Sequence, residues 1–582
     1  MEEAVLAADP GAEFELSAEW LVSRSFVFGA LPRGAVLSRA LRFEADGAIS
    51  GYSHANETRW RIEDGKLHIL TESGQPSCIL TPGKRDGRVS LLGPFINPAE
   101  PSLPTDTTHY IEEKVVDPEI EVMSFDLFDT LVARRCFDPL DIFRAVERKS
   151  GVVGFARARH EVEMRMFGRR LYGFDDIYAQ LLVETGWPER LVQKLKMMEL
   201  AEEWDNLFPI GETVALVRPR DLIISDMYLP FDFVRKIVEE KCGLQGRPIH
   251  LSNYGKHFGV IWPLLLPNHE IVRHFGDNPH ADVASPGRHG IQSQHVTISQ
   301  WAHGERVLLE LGLRPYAEAI REARLKAYDD DPKVRAVQTA QLQINLPLLT
   351  IGSLYLAAKS QEWDADTLLM CSRDCNLWER LLRLLLQRSA RSPRVRYIRT
   401  SRKLFYSGAA EYEAYFQLHM GERNYLVDLV GTGQSPSRFL QTLGDFERVR
   451  PLLLVGEPAI DQFEGRTVES LTKQDFVPVR LILEALNLSL DGTATSAVFA
   501  DHAIEIVQAP NEFSPTVKEL IAAMRRVFLG AVDTVAETTE APIPANLSVE
   551  TLRQAANAIF ALIPHHFEGV RPIVDEVLHN LK

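Results

Sequence analysis

Hydrophobic and polar positions change rhythm along this chain. From about Gly34 to Phe95, short segments alternate apolar and polar residues and are interrupted by Asp46-Gly47, Asp64-Gly65 and Asp86-Gly87. A period of two marks half-buried strands, and Asp-Gly suits the positive-φ backbone of tight hairpins. The stretch therefore predicts a small antiparallel β module. The segment Asn97-Pro98-Ala99-Glu100-Pro101-Ser102-Leu103-Pro104 then lacks several of the backbone donors that a helix or ladder needs. It predicts an extended linker, with a domain boundary near residues 100–115.

From Val122 the rhythm becomes that of buried strands separated by helices. A first strand leads into a long helical insert, about Pro139 to Leu207, followed by predicted strands at Leu222–Ser225, Ile249–Ser252, Ile271–Phe275 and Ile291–Thr297. Beyond Pro315 a helical approach leads to a second series at Thr367–Met370, Val395–Ile398, Tyr425–Val430 and Pro451–Val455, then to a mainly helical C-terminal extension. Strands alternating with helices argue for parallel, doubly wound sheets. The predicted fold class is an α/β multidomain protein. The β module and linker occupy 1–115, a first α/β domain 116–312 with its helical insert at about 136–215, and a second α/β domain 313–582.

Length and charge narrow the partners. At 582 residues the chain exceeds what a single core supports. A net charge of −16 repels polyanions, which argues against nucleic acid or an anionic membrane surface and for a neutral or small phosphorylated partner. The five cysteines are odd in number and scattered, which fits a reducing compartment, with Cys371 and Cys375 read as buried thiols. The N-terminus has no basic-then-apolar signal pattern. The longest apolar stretch, near Leu346 to Ala358, contains Pro347 and Gly352 and falls short of the roughly 20 residues a membrane span needs. A cytoplasmic protein with no transmembrane segment is expected.

Two places concentrate chemistry. The string Ser124-Phe125-Asp126-Leu127-Phe128-Asp129-Thr130-Leu131-Val132 puts an aspartate at the end of an apolar strand and a hydroxyl four residues later. Downstream follow Leu222-Ile223-Ile224-Ser225, Lys256, and Phe275-Gly276-Asp277-Asn278-Pro279-His280-Ala281-Asp282. Doubly wound sheets gather ligands at the carboxyl ends of their strands, so these segments should converge. In this order they resemble the four motifs of the haloacid dehalogenase (HAD) superfamily, mostly Mg²⁺-dependent phosphohydrolases, over roughly residues 120–312. The insert matches the helical cap of that superfamily.

The resemblance implies that Asp126 attacks phosphorus and forms an aspartyl-phosphate, that Ser225 and Thr130 hydrogen-bond phosphoryl oxygens, and that Lys256 offsets charge. It also implies Mg²⁺ held by Asp126, the Phe128 carbonyl, Asp277 and Asp282, the last directly or through the metal's waters. Phe128 departs from the pattern, standing where HAD phosphatases carry a second aspartate as general acid/base, with Asp129 one place further on. Dehalogenases of the superfamily also carry an aromatic there, so carbon–halogen cleavage stays open, with the Asp277/Asp282 pair against it. The Phe-Asp-x-Phe-Asp-Thr-Leu form, with Ser225-Asp226-Met227-Tyr228-Leu229, is similar to HAD-like domains in bacterial surface-polysaccharide synthesis.

The second place is Tyr425-Leu426-Val427-Asp428-Leu429-Val430-Gly431-Thr432-Gly433-Gln434-Ser435. An apolar strand ends in an acid and is followed by small and hydroxyl residues, whose N–H groups can close around a phosphate beside a helix starting near Pro436. This resembles the 5-phosphoribosyl-pyrophosphate (PRPP) loop of type I phosphoribosyltransferases, although Val427 stands where that family has the first of two acids. Leu368-Leu369-Met370-Cys371-Ser372-Arg373-Asp374, before a helix at Leu377–Leu386, and Tyr397-Ile398-Arg399-Thr400-Ser401-Arg402-Lys403 fall where such a fold places its pyrophosphate contacts.

Over roughly residues 315–480 the resemblance implies Asp428 on the ribose hydroxyls or the metal's waters, and Gly431, Thr432, Gly433, Gln434 and Ser435 on the 5-phosphate. Ser372, Arg373, Asp374, Arg402 and Lys403 would meet the departing pyrophosphate. Glu411, Glu413 and His419 precede the strand without a spacing that selects a general base.

Joined, the two resemblances imply a bifunctional enzyme that transfers phosphoribose from PRPP to a glycan or lipid-linked glycan acceptor and then removes the 5-phosphate with Mg²⁺. The alternatives are a single-activity HAD phosphatase acting on a small sugar phosphate, and a non-catalytic glycan-binding or assembly protein. In the β module, Tyr52 and Trp60 could face a glycan, although core packing is the expected role for them.

Overall fold

The computed structural model describes residues 14–580 apart from 32–34, 86–87, 102–104, 106, 115–120, 169–171, 254, 267–268, 387–391, 459–461, 464–465, 475–476, 501 and 539–546. The predicted Asp86-Gly87 turn lies outside the described residues. The chain is an α/β protein with one antiparallel module and two parallel sheets, divided into compact units Met1–Ser299 and Gln300–Lys582.

The antiparallel module is larger than its sequence rhythm suggests. Eight strands run in the order Ile49–Ser50, Ala35–Phe43, Phe26–Leu31, Thr108–Glu113, Arg88–Pro94, Pro76–Arg85, Lys66–Leu70, Arg59–Glu63. The two ends of this sheet meet: Ala48 bridges Arg59, Ile49 N–H donates to the Thr58 carbonyl at 2.9 Å, and Trp60 N–H donates to the Gly47 carbonyl at 2.9 Å. Closure of this kind removes free edges. Thr108–Glu113 pairs with both Phe26–Leu31 and Arg88–Pro94, so the chain beyond the predicted linker returns to the module, which reaches to Glu113. Phe26, Phe28, Phe43 and Trp60 fill the interior. Tyr52 stacks edge-on against Phe28 and Trp60 against Phe43, so both aromatics pack into the core.

The first parallel sheet has the order Ile249–Ser252, Leu222–Asp226, Glu121–Phe125, Glu270–Gly276, Gln292–His295. Its central strands, Leu222–Asp226 and Glu121–Phe125, are largely apolar and buried because both faces are covered, whereas the edge strand Gln292–His295 is polar and mostly exposed. Phe125, Ile223 and Phe275 enter one core, while Val122, Leu222, Ile224 and Ile271 enter another. The insert forms helices Leu140–Ser150, Phe155–Met166, Phe174–Thr185 and Glu189–Asn206 on a stem in which Val132–Arg134 pairs antiparallel with Leu207–Pro209.

The second unit carries a parallel sheet in the order Arg394–Ile398, Thr367–Cys371, Asn424–Gly431, Val449–Gly456, Glu469–Lys473. Alternate residues again divide between two cores, with Leu368, Met370 and Val427 on one side and Leu369, Cys371 and Leu426 on the other. The apolar stretch from Leu346 is a helix, Leu346–Trp363, buried in the first of these cores. Among the described residues no helix is long and apolar enough to cross a membrane. Two features were absent from the sequence reading: the fifth strand Glu469–Lys473, and the hairpin of Ala494–Ala500 with Ala503–Gln508. The helix His303–Glu310 belongs to this unit, whose compact division begins at Gln300 instead of 313, and Val307 and Leu308 sit in its core.

Candidate functional site

At the first sheet's switch point, connections leave Glu121–Phe125 and Glu270–Gly276 in opposite directions and open a crevice at their carboxyl ends. Asp126 N–H donates to the Phe275 carbonyl at 2.8 Å, which fixes its backbone beside Gly276 and Asp277. The chain then turns tightly: Asp129 is left-handed at φ 55°, and the N–H groups of Leu131 and Val132 both return to the Leu127 carbonyl, at 2.8 and 2.9 Å. On the neighbouring strand, the Asn278 side chain accepts the N–H groups of His280 and Ala281 at 2.9 and 3.0 Å and starts a π-helical turn, Pro279–Ala284. That turn carries Asp282 back against Gly276, where a Cβ would lie 2.3 Å from the Asp282 Cγ, so the approach requires glycine.

Lys256 joins these pieces. It is 2% exposed, and its Nζ lies 2.6 Å from Asp126 Oδ1 and 2.6 Å from Asp282 Oδ1. Its loop is held by Asp226, whose carboxylate accepts Lys256 N–H at 3.0 Å, His257 N–H at 2.9 Å and the Ser252 hydroxyl at 2.7 Å. Behind Asp282, His274 Nε2 stands 3.1 Å from Oδ1, and His274 Nδ1 stands 2.8 Å from Ser124 Oγ. Burial lowers the imidazole's pKa, so the neutral ring donates from Nε2 to the carboxylate and accepts from Ser124 at Nδ1. Asp282 thus takes Lys256, His274 and, at 3.0 Å, Asn278 N–H.

The electrostatics follow from this crowding. Burial pushes Asp126 up strongly, Asp282 and Asp277 add to the rise, and Lys256 opposes it. Asp277 is pushed up to about 6 by burial and by the charges of Asp129 and Asp282. Burial also acts against ionised Asp282, but Lys256 and His274 outweigh it and hold the carboxyl below its ordinary range. Against burial, Asp126 and Asp282 keep the Lys256 ammonium charged.

Ligand atoms of Asp126, Asp277 and Asp282 all lie within 4.8 Å of one another. Three carboxylates against one ammonium leave a negative excess presented by oxygen atoms, a donor set that fits a hard divalent cation such as Mg²⁺. Asp126 and Asp277 are the more open ligands, because Asp282 is already committed to three donors.

The remaining predicted residues fall around this centre. Ser225 is buried near the carboxyl end of Leu222–Asp226. Thr130 is buried, and its hydroxyl has no protein partner among the described residues. The Phe128 ring is buried under the Arg134 guanidinium, 4.6 Å from its centroid, and Arg134 pairs with Glu203. Asp129 interacts electrostatically with both Asp277 and Arg134. Sequence reasoning gave no role to Asp226, His274 or Ser124. Asp226 had a signal in its place beside Ser225 at a strand end, whereas His274 and Ser124 looked like ordinary strand residues.

The second switch point lies between Thr367–Cys371 and Asn424–Gly431, where Met370 pairs with Val427 and sets Cys371-Ser372 beside Asp428. The Ser372–Arg373 peptide is cis. Ser372 Oγ donates to the Thr400 carbonyl at 3.0 Å and accepts Thr400 N–H at 2.9 Å, tying the two loops together. Asn376 Nδ2 donates to the Arg373 and Asn487 carbonyls, each at 2.6 Å, and Arg525 donates to its Oδ1.

Burial pushes Asp428 up to about 7, with Asp374 and Glu484 adding to the rise and Arg402 opposing it. Burial likewise brings Asp374 to about 6, opposed by Arg373. Burial and Asp374 bring Glu484 to about 7, against Arg480, Arg402 and Arg373. Glu484, on helix Val477–Leu486, is therefore a second acid acting on Asp428, and no motif pointed to it. Val427 is fully buried in the core and faces away from such a role.

Gly431, Thr432 and Gly433 lead into helix Gln434–Leu443. Gly433 takes φ 69°, and a Cβ there would lie 2.7 Å from Val468 Cγ1. Ser435 Oγ lies 3.2 Å from the Tyr406 hydroxyl. Arg402 and Lys403 are exposed on the short helix Arg402–Phe405; Arg402 acts on the acids, while no described contact links Lys403 to them. Cys371 and Cys375 are buried thiols. No protein-family model matches the chain, and no curated protein matches it.

Proposed function

We propose that the chain is a two-site enzyme that adds ribofuranose to a glycan, transferring phosphoribose from PRPP at the second sheet and removing the 5-phosphate at the first. The observation that carries this reading is the clamping of Lys256 between Asp126 and Asp282, at 2.6 Å each, with Asp277 in the same cluster. A carboxylate so placed can attack phosphorus while the ammonium offsets the phosphoryl charge, as the HAD-like motif order implies. Bound Mg²⁺, held by Asp126 and Asp277, would supply charge neutralisation. The P–O bond to ribose breaks as the bond to the Asp126 oxygen forms, and the leaving alcohol takes a proton; water then attacks the aspartyl-phosphate, breaking its P–O bond to Asp126, so that phosphate leaves and the carboxylate is restored. With Phe128 in the usual acid's place, Asp129 is the adjacent carboxyl of that turn, and water can give the proton.

For the transferase step, the acceptor hydroxyl oxygen bonds to C1 as the C1–O bond to pyrophosphate breaks, and the hydroxyl proton leaves with the pyrophosphate. Arg373, Arg402 and Lys403 offset the departing charge, Asp428 and Glu484 hold the ribose hydroxyls, and Gly431 to Ser435 hold the 5-phosphate. Glu484 supplies the acid that Val427 does not.

Phosphate release from methyl ribofuranoside 5-phosphate with Mg²⁺ tests the first half. Asp126→Asn should lower turnover by about 10³-fold or more, and Asp428→Asn should leave it unchanged. Turnover that survives Asp126→Asn would refute the assignment of the nucleophile.

A further inference from the structure

The loop from strand Thr367–Cys371 to helix Asn376–Leu386 is tied down on two sides, while the cation it carries is left free. On one side Ser372 exchanges hydrogen bonds with Thr400. On the other, Asn376 commits its whole amide: Nδ2 donates to the Arg373 and Asn487 carbonyls, each at 2.6 Å, and Oδ1 accepts from Arg525 of helix Pro515–Thr538. With both donors and the acceptor oxygen engaged, the group cannot flip without losing its partners. The Arg373 guanidinium has no hydrogen-bond partner among the described residues, and acts on Asp374 and Glu484 only through its charge.

Asn487 is held from behind. It is fully buried at the end of helix Val477–Leu486 and pairs amide to amide with buried Asn345: Asn487 Nδ2 donates to Asn345 Oδ1 at 2.8 Å, and Asn345 Nδ2 donates back at 3.1 Å. Asn487 Nδ2 also donates to the Leu483 carbonyl at 2.9 Å, and Asn345 Nδ2 to Gln341 Oε1 at 3.3 Å. Buried amides are costly unless paired, so this pair selects one placement of the helix. The same helix carries Glu484 in the turn before Asn487. Asn376 therefore bridges two walls of the second site, the Arg373 loop and the Glu484 helix.

We infer that Asn376 is a positioning residue of the donor site: its two carbonyl bonds set the Arg373 loop against the Glu484 helix, so that the cation for the pyrophosphate and the acid for the ribose hydroxyls are in register before the donor arrives. The inference rests on the reading of this site as one for PRPP. Groups fixed before binding gain affinity because less order is imposed by the ligand. The effect falls on the pyrophosphate side, because none of the described hydrogen bonds of Gly431 to Ser435 reaches Asn376.

Asn376→Asp separates this role from ordinary folding. The carboxylate is nearly the same size and still accepts from Arg525, but it can donate to neither carbonyl. Isothermal titration of PRPP, pyrophosphate and ribose 5-phosphate with Mg²⁺ into the full chain should show the first two bound about ten-fold or more weaker in the variant, with ribose 5-phosphate unchanged. Arg525→Met, which removes the donor to Asn376 Oδ1, should show the same split to a smaller degree and decides the matter if Asn376→Asp does not fold. A wild-type chain that binds no PRPP would overturn the donor-site reading and this inference with it. PRPP binding equal in wild type and variants, or a loss shared equally by all three ligands, would overturn the inference alone.

Discussion

The two parallel sheets place their candidate sites at equivalent switch points but balance charge in opposite ways. In the first, a fully buried ammonium lies between two carboxylates, and each donor of the group has a partner: Lys256 on Asp126 and Asp282, His274 on Asp282, Ser124 on His274. In the second, Asp374, Asp428 and Glu484 crowd one another, and Arg402, one of the cations that oppose them, is exposed. Buried charge is costly unless compensated, so the first site is preorganised by its own side chains, while the second holds acids whose ionisation waits for a ligand or cation. A site of the first kind suits a fixed reaction centre, and one of the second kind suits uptake of a large charged donor.

The contrast predicts unequal mutational costs. Lys256→Met should have the largest effect, leaving Asp126 and Asp282 buried without their shared cation at a cost of about 3–5 kcal/mol. Thermal unfolding should show the loss, and wild-type stability in the variant would show that the clamp contributes nothing. Asp226→Ala should cost about 2 kcal/mol, because two loop N–H groups and the Ser252 hydroxyl lose their acceptor. Its activity should fall further than its stability, since the loop positions Lys256.

Substitution at the second site should act in the other direction. Asp428 and Glu484 ionise near 7 in the folded protein, against ordinary values of 3.8 and 4.5. Between those limits the folded chain binds more protons than the unfolded one, so their contribution to stability is full at low pH and is lost as the pH rises toward 7. Asp428→Asn should flatten that slope and stabilise the protein by roughly 1–2 kcal/mol at pH 8, as denaturant unfolding across pH would reveal. At the first site Asp126 and Asp277 carry that same sign, and Asp282 alone reverses it: Lys256 and His274 hold it below its ordinary range against burial, so its contribution is present above the unfolded pKa and lost as the pH falls through the folded value. The smallest expected effect is Gly433→Ala, about 1 kcal/mol from a left-handed φ with Val468 close by, accompanied by weaker phosphate binding.

Much of this arrangement was legible in the sequence. The central parallel strands, buried on both faces, read as apolar runs, and the strand ends at Asp126, Ser225 and Asp277 were where the periodicity put them, whereas Asp428 lies inside its strand, which runs on to Gly431. What escaped were residues whose importance is purely three-dimensional. His274 is a strand residue that meets Asp282 only because the Pro279–Ala284 turn folds back over Gly276. Glu484 sits on an apolar helix and acquires meaning only from Asp374 and Asp428. Closure of the β module was equally hidden, because it depends on Thr108–Glu113, which follows the proline-rich segment, returning to pair with Phe26–Leu31. Phe128 was legible as a departure, but the Arg134 guanidinium that covers it was not.

The central claim is that the second sheet holds a PRPP site separate from the Asp126 centre. Isothermal titration of PRPP with Mg²⁺ into the full chain and into the Asp428→Asn and Asp126→Asn variants tests it most directly. The account predicts one-site binding to wild type that is lost in Asp428→Asn and retained in Asp126→Asn. No binding to the folded wild-type chain, or binding that disappears with Asp126 instead of Asp428, would contradict it.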